Sequence, residues 1–143
     1  MAGSVVIREG SWAELGEAAS EIRRVVFIEE QQVPLEEEWD GRDNACRHFL
    51  AVRGDTALGT ARLLPDGHIG RVAVLREARG LGIGVALMQA AIASARRLGH
   101  AQVELAAQTH ALAFYENLGF VSFGDIFMDA GIPHRNMRLA LHS

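Results

Sequence analysis

The stretch Arg79-Gly80-Leu81-Gly82-Ile83-Gly84 constrains this chain more than any other. Its glycines alternate. A β-branched, apolar run from Ile69 to Leu75 precedes it, and a pattern of helical period from Val85 to Leu98 follows. The order is therefore strand, glycine loop, helix. Glycines let a backbone approach a ligand without Cβ interference. A helix start presents unpaired N–H groups at the positive end of its dipole. Together these make an anion site, most often for phosphate. The plainer alternative is a strand-to-helix turn in which the glycines serve geometry alone.

At 143 residues the chain is expected to form a single domain, residues 1–143, with enough core to fold alone. It is 49% hydrophobic and 22% charged, which argues against disorder. A net charge of −4 with 14 Lys and Arg argues against a nucleic-acid partner. The lone cysteine, Cys46, excludes an internal disulfide, reads as a small strand residue, and fits a cytoplasmic setting. No secretory signal is legible at the N-terminus, and no apolar run reaches membrane-spanning length, so no membrane partner is expected.

Along the chain, Val5-Val6-Ile7 reads as a first strand. Ser11-Trp12-Ala13-Glu14 is a capping box that opens a helix. Leu15, Ala18, Ile22 and Val25 or Val26 give that helix a buried face, and the pattern predicts an end or bend between Glu29 and Val33, before Pro34. Glu36-Glu37-Glu38, Asp40 and Asp43 form an acidic loop, either a solvated surface or a mouth that attracts a cationic substrate. Arg47–Val52, Ala57–Leu64 and His68–Leu75 read as adjacent antiparallel strands, the first with His48 and Leu50 on one face and Phe49 and Ala51 on the other. After the glycine loop, Leu87, Ala91, Ala95 and Leu98 form a helix stripe that ends at Gly99. Ala101–Ala106 is the next strand, parallel to the one before the loop. Thr109 is expected to cap a further helix to Leu118, stopped by Gly119. Phe120–Met128 and Arg135–Leu141 are final strands, separated by residues 129–133.

A dinucleotide site fits poorly. Glu104 lies about 20 residues beyond Gly84, as a ribose-binding acid would, but G-x-G-x-x-G fails at Val85 or Leu87. No Gly-Lys-Ser/Thr follows for a triphosphate loop. Arg79-x-x-Gly82-x-Gly84 instead resembles the Arg/Gln-x-x-Gly-x-Gly/Ala signature of the GCN5-related N-acetyltransferase (GNAT) superfamily. Ala111-x-x-Phe114-Tyr115-Glu116-Asn117-Leu118-Gly119-Phe120 resembles that superfamily's A-x-x-F-Y-E-K-x-G-F segment. The stretches Val26 to Pro34, Ala107 to His110 and Asp129 to His134 are similar to its ElaA/YjcF-like bacterial branch. Gln108 departs from the superfamily's frequent Asn at that place but suits the branch.

The resemblance implies an α/β (α+β) fold: a mixed, mostly antiparallel sheet of six to seven strands, a central parallel pair splayed around the cofactor, and about four flanking helices. It implies an acetyl-CoA-dependent N-acetyltransferase in which an amine attacks the thioester directly in a ternary complex. Arg79, Gly80, Leu81, Gly82, Ile83 and Gly84 would hold the pyrophosphate. Val72, Ala73 and Val74 would pair with pantetheine as with an added strand, and a backbone N–H near Val74 would polarise the acetyl carbonyl. Gln108 and Tyr115 would complete the cofactor contacts.

Tyr115, the chain's one tyrosine, matches the family's general acid. A phenol of pKa about 10 is protonated at neutral pH and can donate to a departing thiolate, whose thiol has a pKa of about 8.5. The plainer reading of Tyr115 is a core aromatic. Candidate bases for the amine proton are Glu30, His48, Glu104, Asp125 and His134. His134 is favoured on the substrate side because its segment resembles the branch. The histidines lack metal-ligand spacing, so no metal is expected. The acceptor is expected to be a small-molecule or peptide amine, and the acidic loop hints at a cationic one. A non-catalytic module that binds or senses acyl-CoA is the competing reading. The last two strands could pair across a homodimer.

Overall fold

The computed structural model describes residues 4–141, and its first junction obeys the capping box. Strand β1 (Val6–Gly10) turns into helix α1 (Trp12–Arg23) at Ser11. The Ser11 hydroxyl accepts from the Glu14 N–H, and Glu14 accepts the Ser11 N–H at 2.9 Å. The helix then widens before it ends at Glu30, within the expected window. Residues Arg24–Glu30 are π-helical, with the Gln31 N–H reaching back to the Val26 carbonyl at 3.1 Å. The expected acidic loop is partly helical: α2 (Leu35–Glu38) follows Pro34.

Strands β2 (Arg47–Arg53), β3 (Thr56–Leu63) and β4 (Ile69–Val74) join β1 in one antiparallel sheet, in the order β1-β2-β3-β4. Both faces of this sheet are covered. Phe49 and Ala51 pack toward α3 (Ile83–Arg97), against Leu87 and Met88, while Leu50 packs against Leu15, Ile22 and Val26 of α1 and its π-helical extension. The strands therefore read as apolar runs rather than clean alternations.

Helix α3 crosses over to β5 (Gln102–Gln108). The expected capped helix at Thr109 is a single 3₁₀ turn, Thr109–Ala111, followed by the short α4 (Leu112–Glu116), and no Thr109 side-chain cap forms. Strands β6 (Val121–Asp129) and β7 (Ile132–Ala140) complete a second antiparallel sheet, in the order β5-β7-β6. Residues 129–133 are thus not a loop. Only Ala130 and Gly131 turn, both at positive φ (+52° and +75°), as a two-residue hairpin of the strand twist requires. Pro133 fits inside β7 because β7 meets β5 only from His134 onward, so the missing N–H of Pro133 faces no partner strand.

Among the described residues the seven strands therefore form two sheets, of four and three, which meet at one point between the start of β4 and β5. Among the described residues no helix is long and apolar enough to cross a membrane.

Candidate active site

Strands β4 and β5 run parallel but touch at one end only. His68, just before β4, forms an isolated parallel bridge with Glu104, and the Glu104 N–H donates to the Gly67 carbonyl at 3.2 Å. Beyond that apex no ladder continues, and the two strands splay. The opening is a cleft of about 690 Å³ lined by Val72, Ala73 and Val74 of β4 and Leu105, Ala106 and Gln108 of β5. Phe27, Glu30 and Gln31 reach it from the π-helical segment, Tyr115 from α4 and His134 from β7. The widened helix is what carries Glu30 and Gln31 to this wall.

β4 reaches the cleft through a bulge. Thr60 opposes Ala73 and Arg62 opposes Gly70, so Arg71 and Val72 together oppose Ala61. The Leu75 N–H donates to Leu58 of β3 at 2.9 Å. By strand alternation the backbone groups of Val74 and Val72 then point away from β3, into the gap. The Val74 carbonyl accepts from Arg79 Nε at 2.9 Å, while its N–H faces the cleft.

The glycine loop stands at the rim, and of its residues only Arg79 lines the cleft itself. Gly80 and Gly82 have φ of +81° and +80°, and Gly82 is the N-cap of α3. Among the described residues no hydrogen bond is made by the N–H groups of residues 80–85, which sit at the positive end of α3. Gly84 also packs closely: a Cβ there would lie 3.2 Å from Phe114 Cζ, so that ring would have to give by a few tenths of an ångström. The Arg79 side chain is committed elsewhere: its guanidinium grips Glu30 in a fork, at 2.8 Å on both oxygens. The fork holds the Glu30 carboxyl below its usual range. Arg79 thus ties the π-helical segment to the end of β4, and what the loop offers a ligand is its unpaired backbone N–H groups.

Tyr115 packs edge-on against Phe114 and Phe120, at centroid distances of 5.0 and 6.0 Å. Burial alone pushes its phenol up to about 12. Gln108 donates to Gln31 Oε1 at 2.8 Å and stands opposite His134 across the β5–β7 ladder. His134 stacks on Phe127, and its Nδ1 lies 2.7 Å from the Ile132 carbonyl. A carbonyl only accepts, so Nδ1 carries the proton and a neutral ring keeps its lone pair on Nε2.

The other candidate bases are elsewhere or engaged. Glu30 is held by Arg79. His48 is buried between α1 and β2, with Nε2 2.9 Å from the Asp43 carbonyl and its ring 4.8 Å from Trp12. Desolvation lowers its pKa, and its role is structural. Glu104 meets His68 Nε2 at 3.1 Å at the closed apex. Asp125 is exposed on β6, outside the cleft wall.

The acidic run is mostly neutralised. Arg23 is 1% exposed and forks onto Glu38, also 1% exposed, with Nη2 to Oε2 at 2.8 Å. Arg23 also meets Asp43 at 2.7 Å, and Arg62 bridges Asp40 and Asp43. Arg71 joins Glu38 at 3.0 Å. Burial would raise Asp43, but the Arg23 and Arg62 guanidiniums outweigh it and hold the carboxyl low. Hydrogen bonding to Arg62 lowers Asp40 strongly. Only Glu36 and Glu37 of the triple glutamate stay exposed. These partners, and Gln31, have no local sequence signal, since the guanidiniums come from α1, β3 and β4.

Residues 18–141 match the family described as an acetyltransferase (GNAT) domain. The chain is 37% identical over 120 residues to the uncharacterized N-acetyltransferase YjcF of Bacillus subtilis, covering 81% of this chain and 86% of that one. The crystal structure of an acyl-CoA N-acyltransferase from Pseudomonas aeruginosa superposes with a TM-score of 0.86 at 35% identity, over 96% of this chain and 100% of that one. That of Escherichia coli ElaA gives 0.84 at 29% identity, over 93% and 98%.

Proposed function

The chain belongs to the GNAT acetyltransferase family, and from that premise we propose that it is a single-domain, acetyl-CoA-dependent N-acetyltransferase acting on an amine of a small molecule or peptide. The observation that carries the proposal is a convergence. Tyr115, His134 and the unpaired edge of β4 line one cleft, and the free N–H groups of the glycine loop stand at its rim. The residues suit the cosubstrate: a helix N-terminus for a pyrophosphate, a strand edge for an amide-rich arm, and apolar walls at Val72, Val74 and Leu105.

Acetyl-CoA, when bound, supplies an acetyl group activated as a thioester. The loop N–H groups and the β4 edge orient it, and the Val74 N–H donates to the acetyl oxygen where negative charge develops. His134 Nε2 takes a proton from the attacking amine. The Tyr115 phenol gives a proton to the departing sulfur. One N–C bond forms, one C–S bond breaks, and both amine and thiolate end neutral. A cytoplasmic setting, where acetyl-CoA is made, belongs to the same reading. The free edge of β6, with Val121, Ile126 and Met128 exposed, supports pairing of two copies.

The test is a thiol-release assay with spermidine, glucosamine and lysine, beside calorimetry of acetyl-CoA. Binding together with turnover of at least one amine is expected, and His134→Gln should lower kcat/KM about a hundredfold or more. Absence of acetyl-CoA binding to the folded protein overturns the proposal.

A further inference from the structure

Arg71 holds a backbone conformation that its side chain discourages. Its φ is +50°, in the left-handed region, inside β4. Residues with a Cβ rarely persist there unless their surroundings impose it. A glycine would take the same turn freely. What the position gains from arginine is therefore found in its contacts. The guanidinium reaches out of the sheet to α2: Nη2 lies 3.2 and 3.1 Å from the Glu37 and Glu38 carbonyls, and Nε lies 3.0 Å from Glu38 Oε1. Glu38 is in turn gripped by Arg23 of α1. A chain of contacts thus runs from α1 through Glu38 and Arg71 to the β4 bulge.

The two ends of this chain flank the same space. Glu37, Glu38, Asp40 and Arg42 line the cleft with Arg71 and Val72, and Asp40 pairs with Arg62, which opposes Gly70 near the start of β4, the end away from the glycine loop. The loop end is where an anionic cosubstrate would sit, so the acceptor must come in under α2. We infer that Arg71 is a positioning residue: it straps the α2 segment to the β4 bulge and so fixes the acceptor end of the cleft. The inference rests on the acetyltransferase reading. Arg71 lines the cleft beside Val72, but none of its guanidinium contacts is to Tyr115 or His134. It acts through the backbone of residues 37 and 38, whose carbonyls it holds.

The strap is tested with Arg71→Gly, which keeps the positive φ while removing the guanidinium, and with Arg71→Lys, which keeps a cation but loses the Nη2 donors to the Glu37 and Glu38 carbonyls. The acceptor is the panel amine with the highest turnover. Expected in Arg71→Gly are an acetyl-CoA Kd within twofold of the parent, an acceptor KM raised at least tenfold, and faster amide exchange over residues 35–42. Millimolar guanidinium should recover part of the KM change in the glycine variant but not in the lysine variant. An unchanged acceptor KM, or an equal loss of acetyl-CoA affinity, overturns the inference. If Arg71→Gly fails to fold, Arg71→Lys carries the same comparison, and failure of both means that the guanidinium serves the fold alone. If the parent neither binds acetyl-CoA nor turns over an amine, the transferase reading falls first. The exchange of residues 35–42 still decides the strap, and unchanged protection in the variant removes it.

Discussion

Replacing Tyr115 by phenylalanine removes one oxygen and tests the chemistry with little disturbance of the fold. The hydroxyl has no hydrogen-bond partner among the described residues, so no internal bond is lost and Tm should move by no more than about 2 °C. The rate is another matter. General acids contribute about 10²- to 10⁴-fold. Burial moves this phenol up to about 12, away from the ideal match to a thiol near 8.5, which places it at the low end of that range. We expect kcat to fall about a hundredfold, or about 2.7 kcal/mol in activation free energy, with the acetyl-CoA Kd unchanged. Because Tyr115 is the chain's one tyrosine, phenolate absorbance titrates it alone. The folded midpoint should lie near 12 and the unfolded one near 10. A group raised in the folded state contributes stability below its unfolded pKa and loses it as pH climbs through the folded value. Wild-type Tm should therefore decline between about pH 10 and 12, and the phenylalanine variant should lack that component. A kcat within threefold of wild type refutes Tyr115 as the acid, and a folded midpoint near 10 refutes its burial.

Gly82→Ala introduces a Cβ with nothing within 4 Å of it but at φ +80°. The left-handed strain, about 1–2 kcal/mol, should lower Tm by roughly 3–7 °C. If the loop cradles a pyrophosphate, acetyl-CoA Kd should also rise at least tenfold; a Tm loss with unchanged Kd would falsify the cradle. Arg23→Met leaves Glu38 and Asp43 short of a buried partner, which costs about 3–5 kcal/mol. At about 0.3 kcal/mol per K for 143 residues, Tm should fall by about 10–17 °C in calorimetry. A drop below 3 °C would show that the network relaxes without it. Acid adds a sign to the same variant. Asp43 is depressed in the folded state, so its contribution is present above the unfolded value near 4 and lost as pH drops below it. That loss should be shallower in Arg23→Met, where one guanidinium is gone.

Local chemistry was readable wherever a few neighbouring residues decide the outcome. The capping box at Ser11, the glycine-ended helix at Gly99 and the order of strands depend on contacts within a turn or two, and all appear where expected. Two details fall outside that regime. The last connection is shorter than residues 129–133, because β6 and β7 pair up to Asp129 and Ile132 and leave only Ala130 and Gly131 to turn. The helical run ends at Glu30, within the expected window, but its π-helical winding over residues 24–30 has no signal in that stretch. The backbone of the glycine loop was legible for the same reason in reverse: Gly80 and Gly82 take the positive φ that glycine spacing reports.

Side-chain electrostatics was the part that the order of residues concealed. The run from Glu36 to Asp43 suggests a mouth with a strong field for cations. The guanidiniums that cancel it stand 15 to 33 positions away, at Arg23, Arg62 and Arg71. Three carboxylates, Glu38, Asp40 and Asp43, meet those three guanidiniums under the α2 segment. Opposed charges in close contact leave little field at a distance, and what Glu36 and Glu37 retain is screened within about 8 Å at physiological salt. On the strap inferred above, acceptor choice would depend less on long-range attraction than on how the α2 segment shapes the cleft.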